Sequence, residues 1–238
     1  MQSRRITTAI LALASAAFIA ACSDDDDDPI GVDNDNTTVR FINATTGGTN
    51  LDIAEDGTVG TGNSNLAYGS ASSCVRVNNA NPQLAVRTAN STTSLAGFSP
   101  SFTAGKTYTV LVTGTTAAPV FTTLDDAFTA PATGAAVRII NATSSATTGA
   151  GNWDIYVNPG TNLGTPNAQA IGRNSASAYL PVPAGQANTI RLTNAGSTTT
   201  LQNISVQSLT AGTGQTIVVG DAASGSTALR TFPLAACT

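Results

Sequence analysis

Val39-Arg40-Phe41-Ile42-Asn43-Ala44-Thr45 returns, at an offset of 98, as Val137-Arg138-Ile139-Ile140-Asn141-Ala142-Thr143. Further matches follow in the same order. Asn50-Leu51-Asp52-Ile53 pairs with Asn152-Trp153-Asp154-Ile155, and Ser70-Ala71-Ser72 with Ser175-Ala176-Ser177. Leu84 to Arg87 answers Ile190 to Thr193, and Phe102-Thr103-Ala104-Gly105 answers Leu209-Thr210-Ala211-Gly212. The offset drifts upward to 107 between the first match and the last, as small loop insertions would cause. Five ordered matches imply a duplicated unit of about 100 residues. The expected division is 37–130 for one copy and 131–238 for the other, joined near Thr129 to Gly134.

Within each copy the periodicity is two. Leu51 and Ile53 flank Asp52, while Trp153, Ile155 and Val157 alternate with Asp154 and Tyr156. Tyr108, Val110 and Val112 alternate with Thr107, Thr109 and Thr113. Successive side chains of a strand point to opposite faces, so this pattern predicts sheets with one buried and one wet face. Asp56-Gly57 suits a tight hairpin turn, and Asn158-Pro159-Gly160 marks the matching turn in the second copy. No long amphipathic helical stripe follows residue 30. About seven short strands per copy predict an all-β fold of two tandem immunoglobulin-like β-sandwich domains.

The order Val-Arg-x-Ile-Asn-Ala-Thr, then Asp154-Ile155-Tyr156-Val157-Asn158, then Ser175 to Gly185, resembles the domain-of-unknown-function family 4397. Residues 137–185 carry the pattern best. The first copy departs from it, with Cys74-Val75-Arg76-Val77 in place of Tyr179-Leu180-Pro181-Val182 and Ala54 in place of Tyr156. Ala104 to Val110 matches the family in the first copy instead. The resemblance implies an envelope protein of bacterial type and supplies no mechanism.

The N-terminus predicts an address. Arg4 and Arg5 precede an apolar run, Ala9 to Ala20, that is too short for a stable membrane span. Ile19-Ala20-Ala21-Cys22 resembles the lipobox of bacterial lipoproteins. Residues 1–21 are then a cleaved signal peptide, and Cys22 carries the lipid that holds the protein on the membrane. The alternative is an ordinary secretory signal with a chance cysteine. Ser23, rather than an aspartate, after Cys22 resembles the signals that favour the cell outer membrane. Residues 22–36 form an acidic tether containing Asp24 to Asp28, Asp33 and Asp35. Like charges keep such a segment extended, and a surface-export tag is the other reading.

Charge and composition exclude several functions. After residue 36, eight basic residues meet seven acidic ones, leaving a nearly neutral body. With no basic stripe and no basic–aromatic interleaving, a nucleic-acid partner is not expected. Histidine is absent, and there is one lysine, Lys106, and one glutamate, Glu55. The usual neutral-pH base and imidazole metal ligand are therefore missing. No nucleophile elbow, phosphate-binding glycine loop or zinc spacing occurs. Asp52, Glu55 and Asp56 beside Gly57 have the oxygen ligands of a calcium loop, but not its full pattern, so they read as turn residues. The sequence predicts no enzyme, no cofactor and no metal. An atypical hydrolase using Asp52 and Asp154 would need carboxylates from different copies.

Three sets of residues remain as candidates. Arg40 with Asp52, and Arg138 with Asp154, recur together and are expected to pair across a sheet. Cys74 and Cys237 are expected to form a disulfide, since an exported chain meets an oxidising compartment. Tyr156 and Tyr179 are the candidates for ligand contact, whereas Trp153 replaces Leu51 on the apolar face and belongs to the core. Asp125-Asp126 reads as a solvated loop, and Asn43 and Asn141 as residues that end strands. The expected function is a non-catalytic, lipid-anchored envelope protein that binds, adheres or spaces, with an envelope protein or a glycan as partner. A carbohydrate-binding module using Tyr156 and Tyr179 is the alternative.

Overall fold

The computed structural model describes residues 37–77, 80–144, 151–221, 229–235 and 237. The expected signal peptide, Cys22 and the tether lie outside them. Among the described residues there are seventeen strands and no helix. The first eight are β1 (Thr37–Asn43), β2 (Leu51–Glu55), β3 (Thr58–Val59), β4 (Val75–Val77), β5 (Leu84–Thr88), β6 (Ser94–Phe98), β7 (Thr107–Thr115) and β8 (Ala118–Asp125). They form two sheets, ordered β4-β1-β7-β8 and β3-β2-β5-β6.

The remaining nine are β9 (Ala135–Asn141), β10 (Trp153–Val157), β11 (Ala168–Ile171), β12 (Ser175–Ala176), β13 (Leu180–Val182), β14 (Asn188–Asn194), β15 (Thr200–Val206), β16 (Gly214–Asp221) and β17 (Leu229–Ala235). Their sheets run β12-β9-β16-β17, with β13 also on β9, and β11-β10-β14-β15. The two sets therefore share one topology. In each, the first strand pairs in parallel with a late one, β1 with β7 and β9 with β16, while the other pairings are antiparallel.

Each pair of sheets closes on its own apolar core, as the expected sandwiches require. Val39, Phe41, Leu51, Ile53, Val86, Val110 and Val112 fill the first. Val137, Ile139, Trp153, Ile155, Ile190, Leu192, Ile217 and Val219 fill the second. Trp153 is fully buried there. The Asp56-Gly57 hairpin forms between β2 and β3, with both residues at positive φ, 48° and 87°. That geometry matches the strand twist in a two-residue hairpin, and glycine adopts it without a side-chain clash.

One expectation from the alternation fails. The second face of β1, β7, β9 and β16 is not wet. A third apolar cluster joins Ile42, Ala44 and Leu111 to Ile140, Ala142, Val218 and Phe232. The sheet containing β1 thus packs its outer face against the sheet containing β9, and the paired sandwiches are four sheets deep. This is why β9 is buried at every position and β1 at all but one. A strand covered on both faces reads as a near-continuous apolar run, and Phe41-Ile42 and Ile139-Ile140 are the visible traces of that burial. The two sandwiches form a single compact unit.

Candidate functional site

The seam between the sandwiches holds the most concentrated chemistry among the described residues. Strand alternation sends Val39 and Phe41 into one core and Arg40 and Ile42 out to the seam. Val137, Ile139, Arg138 and Ile140 divide the same way. Arg40 and Arg138 are therefore carried into buried positions, 3% and 5% exposed.

Asp126 sits between them, only 1% exposed. It follows β8 directly, and its N–H donates to Thr107 O at 2.7 Å, which fixes the turn of chain. Its Oδ2 accepts from Arg40 Nη2 and from Thr109 Oγ1, each at 2.8 Å. Its Oδ1 accepts from Arg138 Nη1 and from the Tyr179 hydroxyl, the latter at 2.9 Å. Arg138 Nη2 also donates to Asp125 O at 2.7 Å. Four donors occupy the four acceptor positions that a carboxylate offers. A buried charge without such partners would cost several kcal/mol, so the satisfied set is what makes burial tolerable. Burial still pulls the Arg40 guanidinium below its ordinary value, with Asp126 opposing. Burial likewise raises the Tyr179 hydroxyl, and the negative charge of Asp126 adds to it.

These contacts correct several expectations. Arg40 and Arg138 do not pair with Asp52 and Asp154. Arg40 and Asp52 stand on opposite sheets of one sandwich and face away from each other, as do Arg138 and Asp154. Each aspartate instead clamps backbone. Asp52 accepts from the N–H groups of Asn65 and Asn90 at 2.6 and 2.8 Å. Asp154 accepts from those of Ala170 and Gly196 at 3.0 and 2.8 Å. All four of those donors have positive φ, so each carboxylate holds two left-handed turns in place. With both oxygens so engaged, neither aspartate is presented as a hydrolase carboxylate. Asp126 is not a solvated loop residue. Asp125 is exposed and pairs with Lys106 at 2.8 Å.

The tyrosines are also placed differently. Tyr156 is on the outer face, yet only 7% exposed, because β10 is a central strand flanked by β11 and β14. Tyr179 is half-buried, with its hydroxyl on Asp126 and its ring edge-on to Phe128 at 4.9 Å. Neither offers a free aromatic face. Cys74 and Cys237 do form a disulfide, with Cα atoms 6.0 Å apart. It ties a surface position of the first sandwich to the end of the second.

The other repeated residues serve local structure. Asn43 Oδ1 accepts from the N–H and hydroxyl of Thr45, and its Nδ2 donates to Leu66 O. Asn141 does the same with Thr143, and donates to Gly151 O and Ile171 O. Ser72 Oγ accepts from Phe41 N and donates to Ser73 O, and Ser177 repeats this with Ile139 N and Ala178 O. The duplicated polar residues are thus buried and bonded within the fold. Sequence reasoning missed Asp126 because its partners come from four separate segments, 12 to 86 residues away along the chain. The clue was two repeated arginines on otherwise apolar strands.

Residues 37–148 match the family model for Domain of unknown function (DUF4397). The DUF4397 match takes in the whole first sandwich, Asp126, and β9 with Arg138. No curated protein matches the chain. Among solved structures, the chain is similar to one of alpha-glucan binding by a streptococcal virulence factor, at 11% identity and a TM-score of 0.27, covering 82% of this chain and 97% of that one. It is also similar to family 41 carbohydrate-binding modules from streptococcal virulence factors, at 11% identity and a TM-score of 0.29, with the same coverage. At TM-scores that low, no ligand carries over from them to this chain.

Proposed function

We propose that the protein is a non-catalytic, lipid-anchored module of the bacterial cell envelope, in which two copies of one domain are fused into a rigid spacing and binding body. The observation that carries this reading is the seam. One carboxylate, Asp126, bonds an arginine from each sandwich, and a disulfide joins the two sandwiches covalently. Independent binding modules on a flexible linker would not need a shared buried charge. Matched strand order and matched bonds of Asn43 and Asn141, Ser72 and Ser177, and Asp52 and Asp154 support duplication.

The disulfide fits an oxidising compartment. In this proposal residues 1–21 direct export, Cys22 carries the acyl anchor at the outer membrane, and residues 22–36 hold the body off the surface. The partner would be an envelope protein or a glycan. Tyr156 and Tyr179 would not be its stacking platforms, since both rings are committed to packing.

The test is metabolic labelling with palmitate in a bacterial host, followed by fractionation. The wild-type chain is expected to carry label and to stay with the outer membrane. Cys22→Ala is expected to lose both. Unlabelled wild-type protein in the soluble periplasmic fraction would overturn the anchoring, and protease treatment of intact cells would then show which face the anchored body occupies.

A further inference from the structure

The register that relates the two sandwiches exposes an unequal pair of positions at the ends of the seam. Asn43 pairs with Val112, and Asn141 with Val219, so Thr113 corresponds to Gly220. Those two residues pair with Val120 and Arg230, and two positions on, Thr122 corresponds to Phe232. Gly69 N donates to Asn43 O as Asn174 N donates to Asn141 O, which makes Tyr68 the counterpart of Arg173.

At one end the seam is plugged. Tyr68 stands edge-on to Phe232 with ring centres 5.4 Å apart, and its hydroxyl donates to Asp221 O. Two glycines make room for this. A Cβ at Gly69 would meet the Phe232 ring at 2.0 Å, and one at Gly220 would meet the Tyr68 hydroxyl at 2.9 Å. Arg230 lies over the far ring, 5.6 Å from its centre.

At the other end the same place is open. Arg173 replaces Tyr68, Thr122 replaces Phe232 and Val120 replaces Arg230. What remains is a cleft of about 550 Å³, within the range of small-molecule sites. Thr46, Thr113, Thr143 and Ser144 contribute to its wall, with Arg173 and Asn174 at its edge. Val120, 48% exposed, gives it one apolar surface. Asn174 Oδ1 is buried there with no hydrogen-bond partner among the described residues. A buried acceptor of that kind is costly unless something donates to it.

We propose that this cleft binds an acidic sugar, a uronic-acid unit of a glycan. The Thr46, Thr113 and Thr143 hydroxyls donate to Gly114 O, Val120 O and Asn141 Oδ1, and each keeps a lone pair for the hydroxyl donors of a sugar. Arg173 is the one charged residue among the described lining, and its guanidinium matches a single carboxylate in bidentate geometry. Val120 suits the C–H face of a pyranose. No carboxylate lines the described wall, so a divalent cation would find no charged ligand there, and one arginine is too little for a polyphosphate. The site lies on β7, β8, the segments that follow β1 and β9, and the β11–β12 connection, and does not depend on the lipid anchor.

Nuclear magnetic resonance titration of the full folded chain tests it, with tri-galacturonate as probe and galactotriose as its neutral counterpart. The acidic trisaccharide is expected to shift the amides of Thr46, Thr113 and Thr143 and to bind at least about tenfold more tightly than the neutral one, one charge-assisted bond being worth that much. Arg173→Gln, at an exposed position, is expected to erase that preference without changing the unfolding midpoint. Val120→Trp, which fills the cleft from its rim, is expected to abolish binding of both sugars. Equal binding of acidic and neutral sugars, shifts confined to other surfaces, or an unaltered Arg173→Gln variant would overturn the proposal. So would preferential binding of a peptide C-terminal carboxylate at the same amides.

Discussion

Asp126 shows how much one side chain can organise. It bonds two buried arginines from different sandwiches, and its removal would take the carboxylate from both. Asp126→Ala is expected to cost about 3–5 kcal/mol, read as a lowered urea midpoint. Asp125→Asn, one residue away but exposed, is expected to leave that midpoint unchanged. Equal effects would mean that the seam charge is not structural. The clamping aspartates make a smaller test. Asp154→Ala releases two backbone amides in left-handed turns and is expected to cost about 1.5–3 kcal/mol by the same measurement. Tyr68 supplies a pH signature. Burial and the nearby Asp221 raise its hydroxyl to about 12. Its neutral form is therefore held more firmly in the folded chain than in the unfolded one. That stabilisation is complete below the ordinary tyrosine value near 10 and is lost as pH rises toward 12. Tyr68→Phe should flatten the fall in stability across this window, and parallel curves for the two proteins would reject the assignment.

At the level of strands, β1 and β9 differ from ordinary sandwich strands in being covered on both sides. Their inward residues belong to separate cores, and their outward residues hold those cores together. Ile140→Ala, a truncation in the seam, is expected to cost about 2–5 kcal/mol, as in any closed core. A loss near zero would show that the outer face is solvated. The strand periodicity and the Asp56-Gly57 turn were legible in the sequence because both depend on neighbours within a few residues. The clamps formed by Asp52 and Asp154 were not. They join a strand to two separate loops, and the sequence placed those carboxylates opposite arginines only because both types recurred together.

The two sandwiches together behave as one body. A single cooperative urea transition is expected for the wild-type chain, since neither sandwich can part from the other without exposing Ile42, Leu111, Ile140 and Val218 and stripping the Asp126 cluster. The disulfide adds to this by closing a loop of sequence separation 163. Chain entropy puts an upper figure of about 5 kcal/mol on that closure. Cys74→Ser with Cys237→Ser should lower the midpoint while keeping one transition. Adding Asp126→Ala should then divide it into two, as each sandwich unfolds separately. A wild-type chain that already melts in two steps would remove the rigid-body basis of the proposed function.

Alternation and turn residues, written in neighbouring positions, determined the strands, and the ordered motif matches determined that the two halves would fold alike; the partnership of Cys74 and Cys237 followed from their being the two thiols left besides Cys22. The burial of the apparently wet faces, the transfer of both arginines to Asp126 and the plugged and open ends of the seam came only from the tertiary structure. Those features arise where two similar surfaces meet, and a pattern of period two states which residues share a face without stating what that face will touch.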